Sequence, residues 1–130
     1  MAKIPYSTVI SGAIYAVTDT PHPRMYGAFP KIIREYEEEQ HLFTMEEAVR
    51  KMTSLPASRM SIARRGQIKE GYFADINIFD PSRLKDHATF EKPVQLASGI
   101  EKCIVNGKLA WENGNMCDDT CGKNLRRTDG

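Results

Sequence analysis

The residues whose types and spacing suit chemistry cluster at Pro21-His22-Pro23-Arg24-Met25-Tyr26-Gly27. Each proline fixes its own φ and biases the residue before it away from helix, so His22 is expected in an extended loop. Arg24 presents a planar fork that matches a carboxylate. Tyr26 adds a phenol, and Gly27 lets the backbone turn. These types suit a site that grips a small anionic molecule, and His22, Arg24 and Tyr26 are its candidate substrate-binding residues. The residues alone allow a second reading, a rigid loop with Arg24 in a structural ion pair.

Other chemistry finds little support. The chain has three histidines, at 22, 41 and 87, with no H-x-H pair and no ligand spacing. Cys117 and Cys121 stand four apart, but no further Cys or His follows at matching spacing, so no metal ligand is assigned. Three cysteines, an odd number, without a secretion signal fit reduced thiols and a cytoplasmic location. A net charge of +1 argues for neither nucleic acid nor an anionic membrane surface as a partner. No apolar run has the length of a membrane span. At 130 residues, 41% hydrophobic and 27% charged, the chain matches one soluble globular domain in size and composition.

The positioning elements are read as follows. Thr8-Val9-Ile10 is a short apolar strand of the kind covered on both faces. Residues 18–30 form a proline-rich loop, and Pro30 opens a helix whose apolar face is Phe29, Ile32, Ile33 and Tyr36. Glu37 to Gln40 is a solvated polar end. Thr44 and Glu47 make a capping box for a second helix with Met45, Ala48, Val49 and Met52 as its buried stripe. Pro56 to Ile62 is a short third helix. Pro81 to Pro93, with His87 and Phe90, is a functional loop or a wrap across a neighbouring surface. Ile100–Val105 and Lys108–Glu112 flank Asn106-Gly107, a hairpin signal, with Trp111 as aromatic anchor. The tail from Asn113 is polar, with a mobile end. Helices followed by strands indicate an α+β chain.

The stretch from Arg65 to Asp80 carries the strongest pattern. Gly66 and Gly71 bracket a short loop, a tight double bend. Ala74-Asp75 then opens a strand in which Ile76 and Ile78 alternate with Asn77, and Asp80-Pro81 closes it. This G-x-I-x-x-G-x-x-A-D-I-x-x-F-D pattern resembles the segment where metal-dependent amidohydrolases leave their catalytic barrel for a small β-sandwich. His22-Pro23-Arg24-Met25-Tyr26-Gly27-Ala28-Phe29-Pro30 and Thr44-Met45-Glu46-Glu47-Ala48-Val49-Arg50-Lys51-Met52-Thr53-Ser54-Leu55-Pro56-Ala57 narrow the resemblance to N-acyl-D-amino-acid deacylases. With Val105-Asn106-Gly107 it runs over almost the whole chain.

That resemblance implies the last strand and helices of a (β/α)8 barrel in residues 1–63. It implies part of a small β-sandwich domain in residues 64–130. The family's enzymes use zinc to hydrolyse the amide of N-acyl-D-amino acids, with an acid in a Ser-Asp-Gly motif shortly before the H-P-R loop. Here Ser11-Gly12 stands at that place. Either Ser11 occupies the acid's position or one residue is deleted, and no catalytic residue is assigned. Asp19 is the nearest acid. The family's metal ligands lie on earlier barrel strands, so no zinc is expected on this chain alone. Met1 then falls mid-chain in the family. The leading expectation is the C-terminal fragment of such a deacylase, inactive by itself, whose partner would be the missing N-terminal barrel portion. The alternative is an interaction module completing a barrel supplied by another chain, and an independent small enzyme ranks last. A lone strand at Thr8–Ile10 would leave the chain poorly soluble, oligomeric or partly disordered over residues 1–20.

Overall fold

The computed structural model describes residues 4–12 and 21–125. The helices come first: α1 (Arg24–Lys31), a π-helical continuation (Ile32–Glu39), α2 (Met45–Met52) and α3 (Ser54–Arg59). The strands follow as β1 (Ile76–Phe79), β2 (Ile100–Val105), β3 (Lys108–Glu112) and β4 (Asn115–Met116). They form one antiparallel sheet in the order β1-β2-β3-β4. Helices and strands are therefore segregated along the chain, the α+β arrangement expected from the sequence.

Local rules built most of these elements. The Thr44 hydroxyl accepts the Glu47 backbone N–H and starts α2. Asn106 and Gly107 both take positive φ, 51° and 81°, as the two-residue turn between β2 and β3 demands. Asn113 and Gly114 repeat the device at 45° and 93° before β4. The tail after Asn113 is therefore folded further than its polarity suggested, and Cys121 is buried. Trp111 sits half-buried on β3, opposite Cys103 on one side and Met116 on the other.

Three expectations are corrected. The proline-rich loop ends at Pro23, and residues 24 to 30 of the H-P-R segment are helical. Pro23 supplies a helical φ of −52° just where no N–H donor is needed. Pro30 lies inside α1 rather than opening it, and the chain after it continues in wider π spacing, with the Gln40 N–H bonded to the Glu35 carbonyl. Secondly, Thr8–Ile10 is not a strand. It pairs with no strand of the sheet, the Val9 N–H bonds the Lys51 carbonyl at 3.1 Å, and Ile10 is 76% exposed. Thirdly, α3 spans Ser54–Arg59, two residues earlier than read from Pro56, because the chain breaks at Thr53 (φ −129°, ψ −85°) and Pro56 falls within the first turn. Asp19 lies outside the described residues, and so do the side chains of Tyr36 and Glu37 to Glu39.

Among the described residues the buried side chains are few: Ile33, Ala48, Lys51, Ala57, Leu84, Pro93, Ala110 and Cys121, with Gly27 buried beside them. Ala48 is fully covered, whereas Val49 of the same expected stripe is exposed. Between α1, α2 and β1 an open apolar groove of about 450 Å³ runs past Phe29, Ile33, Met52, Ile76 and Phe79.

Candidate functional site

The start of α1 gathers the residues singled out in the sequence. The His22 and Pro23 carbonyls accept the N–H groups of Met25, Tyr26 and Gly27 at 3.0–3.1 Å, which winds the first turn. The Arg24 N–H donates to His22 Nδ1 at 3.1 Å. Nδ1 thus acts as an acceptor in this contact. The His22 ring meets Phe90 edge-on, centroids 5.1 Å apart. The connection after β1 therefore wraps across the start of α1, one of the two roles expected of it.

Arg24 lies over the segment that precedes it. Gly12 takes φ +58°, and a Cβ built there would stand 3.7 Å from both Nε and Cζ of Arg24. Gly12 and Arg24 are thus brought together, with Arg24 exposed above a residue that carries no side chain. Such a guanidinium can bind a carboxylate in two-pronged fashion. Tyr26 is two residues on in α1, roughly 200° around the helix, so it does not share the Arg24 face. The sequence grouped His22, Arg24 and Tyr26; the helix joins the first two to Gly12 and turns Tyr26 away.

Packing holds this end of α1 in place. Gly27 is buried, and a Cβ there would lie 3.1 Å from the Asp86 Cβ. Asp86 in turn accepts from Arg34 Nε at 2.9 Å. The close approach leaves little room for a larger residue and packs α1 against the connection between β1 and β2. None of Ser11, Gly12, His22, Arg24 or Tyr26 lines the apolar groove, so groove and candidate site are separate.

Two groups escaped the sequence reading. Lys51 is 1% exposed, the largest fully buried side chain described. Its ammonium donates to the Ile4 carbonyl (2.6 Å), the Ser7 carbonyl (3.2 Å) and Ser7 Oγ (3.0 Å). A signal existed: Lys51 falls three residues after Ala48, in phase with the buried stripe. The second group is Arg65, Asp75 and Asn106. Arg65 pairs with Asp75, donates to Asn106 Oδ1 and stacks on Phe73 at 4.2 Å. Asp75 Oδ1 also accepts the Asn106 N–H at 2.8 Å. This network ties the glycine-bracketed bend to the β2–β3 turn, so the pattern's acid works as scaffold.

Among ionisable groups, Glu47 stands out. Its carboxyl is held down to about 2, chiefly by hydrogen bonding from Arg50, with the charges of Arg50 and Lys51 adding to it. Burial pushes the Cys103 thiol up. Among the described residues no group of three or more His, Cys, Asp or Glu side chains converges to hold a metal ion. The donors of the described residues do not form a zinc site. No helix among the described residues is long and apolar enough to cross a membrane.

Comparison with known proteins places this geometry in context. A model of the "Amidohydrolase family" matches residues 14–110. The chain is 44% identical over 110 residues to a D-aminoacylase of Alcaligenes xylosoxydans xylosoxydans, covering 85% of this chain and 23% of that protein. A crystal structure of D-aminoacylase superposes with a TM-score of 0.81 at 42% identity, covering 84% of this chain and 23% of that one. The N-acyl-D-glutamate deacylase of Bordetella bronchiseptica, solved with zinc and a phosphonate inhibitor, superposes with a TM-score of 0.71 at 38% identity, covering 74% and 20%. The chain thus spans about a quarter of the length of these relatives.

Proposed function

The chain belongs to the amidohydrolase family, and we propose that it forms the C-terminal part of an N-acyl-D-amino-acid deacylase, a zinc-dependent hydrolase of linear amides. Its relatives are N-acyl-D-amino-acid deacylases, which supports the substrate class. The observation that carries the reading is the seat formed by Arg24 above Gly12. An N-acyl amino acid retains a free carboxylate, and an exposed guanidinium over bare backbone is suited to hold it. His22 borders this seat, its ring oriented by the Arg24 N–H and by Phe90. Tyr26 lies on another face of α1 and is given no contact with substrate.

Among the described residues no three metal-ligating side chains converge, and a Ser11 hydroxyl cannot serve as a carboxylate proton shuttle. We assign substrate positioning to this chain and propose that it is inactive until joined to the rest of the barrel. Residues 1–63 would belong to the barrel end and 64–130 to the small β-domain. Its three free cysteines suit a reducing compartment such as the cytoplasm.

The test is turnover of N-acetyl-D-amino acids, by the chain alone and by a fusion to the preceding part of the D-aminoacylase relative. The chain alone should release no free amino acid. In an active fusion, Arg24→Ala should raise KM roughly 10- to 100-fold, the scale of a lost charge-assisted pair. Turnover by the chain alone, or an unchanged KM in the variant, overturns the proposal.

A further inference from the structure

Four consecutive backbone carbonyls near the start of the described chain each meet a cation from α2 or α3. Lys51 Nζ takes those of Ile4 and Ser7. An Arg50 guanidinium nitrogen takes that of Pro5 at 2.5 Å. Arg59 reaches that of Tyr6 at 3.5 Å, the weakest of the set. Arg50 is itself steadied by Glu47 at 2.6 and 2.8 Å, and Glu47 stands 3.5 Å from Lys51 Nζ. The Val9 N–H then closes onto the Lys51 carbonyl.

This arrangement fixes the path of residues 4–7, which lead into Thr8–Ile10. Carbonyls 4 to 7 are engaged by cations, whereas a strand would offer its carbonyls to the N–H groups of a neighbour. The contacts go to backbone, so they constrain the path of the segment and not its side chains; Tyr6 and Ile10 are largely exposed. Only Lys51 is buried, and a buried ammonium demands full pairing. It has four oxygen partners within 3.5 Å.

We infer that Lys51, assisted by Arg50, is a positioning residue: it clamps residues 4–9 across α2 and thereby delivers Ser11-Gly12 beneath Arg24. That use of the clamp rests on the function proposed above, but the clamp itself does not. Amide hydrogen exchange on the chain measures it without any activity. In Lys51→Met the ammonium is removed while the stem and the Val9 acceptor stay. Protection of the Ser7 and Val9 amides should fall by roughly 10-fold or more, the scale of one charge-assisted hydrogen bond, while β2 and β3 amides keep theirs. Lys51→Arg should restore part of the protection, and Tyr6→Ala should change nothing. Retained protection at Ser7 and Val9 in Lys51→Met overturns the inference, and so does a loss shared equally by β2 and β3. Should Lys51→Met fail to fold, Ser7→Ala, which removes one acceptor of Lys51 and the Ser7 Oγ donor to the Ile4 carbonyl (2.9 Å) and leaves α2 intact, must show the same local loss; full protection there overturns the clamp. In the active fusion Lys51→Met should raise KM as Arg24→Ala does. A confirmed exchange result with no turnover in any fusion would sink the proposed function and leave the clamp standing.

Discussion

Gly66 and Gly71 make a matched pair on which to test how tertiary contacts act. Both adopt nearly the same left-handed backbone, φ +77° and +78°. Alanine at either position costs about 1 kcal/mol for that conformation. Their surroundings differ. A Cβ on Gly71 meets nothing within 4 Å. A Cβ on Gly66 would stand 2.9 Å from both the Ala57 Cβ and the Thr53 carbonyl oxygen, and 3.0 Å from the Thr53 carbonyl carbon. Favourable carbon contacts lie at about 3.5–4.0 Å, so either the bend or the α2–α3 junction must move. Backbone cannot swing aside as a flexible side chain can, and overpacking of this kind costs about 1–3 kcal/mol. Gly71→Ala should therefore lose about 1 kcal/mol, and Gly66→Ala about 2–4 kcal/mol. Urea unfolding of the two variants at constant m reads the difference directly. A gap under about 0.5 kcal/mol, or a greater loss at Gly71, would refute the reasoning.

Two further outcomes follow from the same structure. Asp75→Ala strips an ion-pair partner from Arg65, whose side chain is 9% exposed, and removes the acceptor of the Asn106 N–H. A loss of about 2–4 kcal/mol in urea unfolding is expected, and Asp75→Asn, which keeps an acceptor, should lose about half as much. The Glu47 carboxyl is depressed from its ordinary value of 4.5 to about 2, so its contribution to stability is fully present above pH 4.5 and is lost as pH falls through 2. Glu47→Gln should flatten that part of the acid loss in unfolding midpoints measured from pH 5 to 2, and identical pH profiles would contradict the assignment.

Features with a local cause were legible in the sequence. Asn106-Gly107 needs only two residues with positive φ between strand-like runs, and the turn is there. Thr44 and Glu47 need only each other's spacing to start α2. The double bend at Gly66 and Gly71 follows from the residues themselves. Where the outcome depended on distant groups, the reading failed. Pro21, Pro23 and Pro30 suggested a loop through residue 30, because nothing in that stretch announces Gly27 packed on Asp86 or Phe90 against His22. Thr8-Val9-Ile10 has the composition of a strand, but the cations of α2 and α3 hold the backbone leading into it. In the candidate site, His22 and Arg24 were found by type, whereas their link to Gly12 and the separation of Tyr26 came from helix phase and chain path.

By itself, then, the sequence determined the segregation of helices and strands, the turns, the helix start at Thr44 and the family to which the chain belongs. These rest on φ preferences, periodicity and motif residues, all local in the chain. Only the tertiary structure decided that Lys51 is buried beneath the segment it holds, that Arg24 sits over Gly12, and that Gly66 is crowded while Gly71 is open. Each of those depends on atoms far apart in sequence meeting within a few ångströms, and a residue's type carries no record of what will stand opposite it.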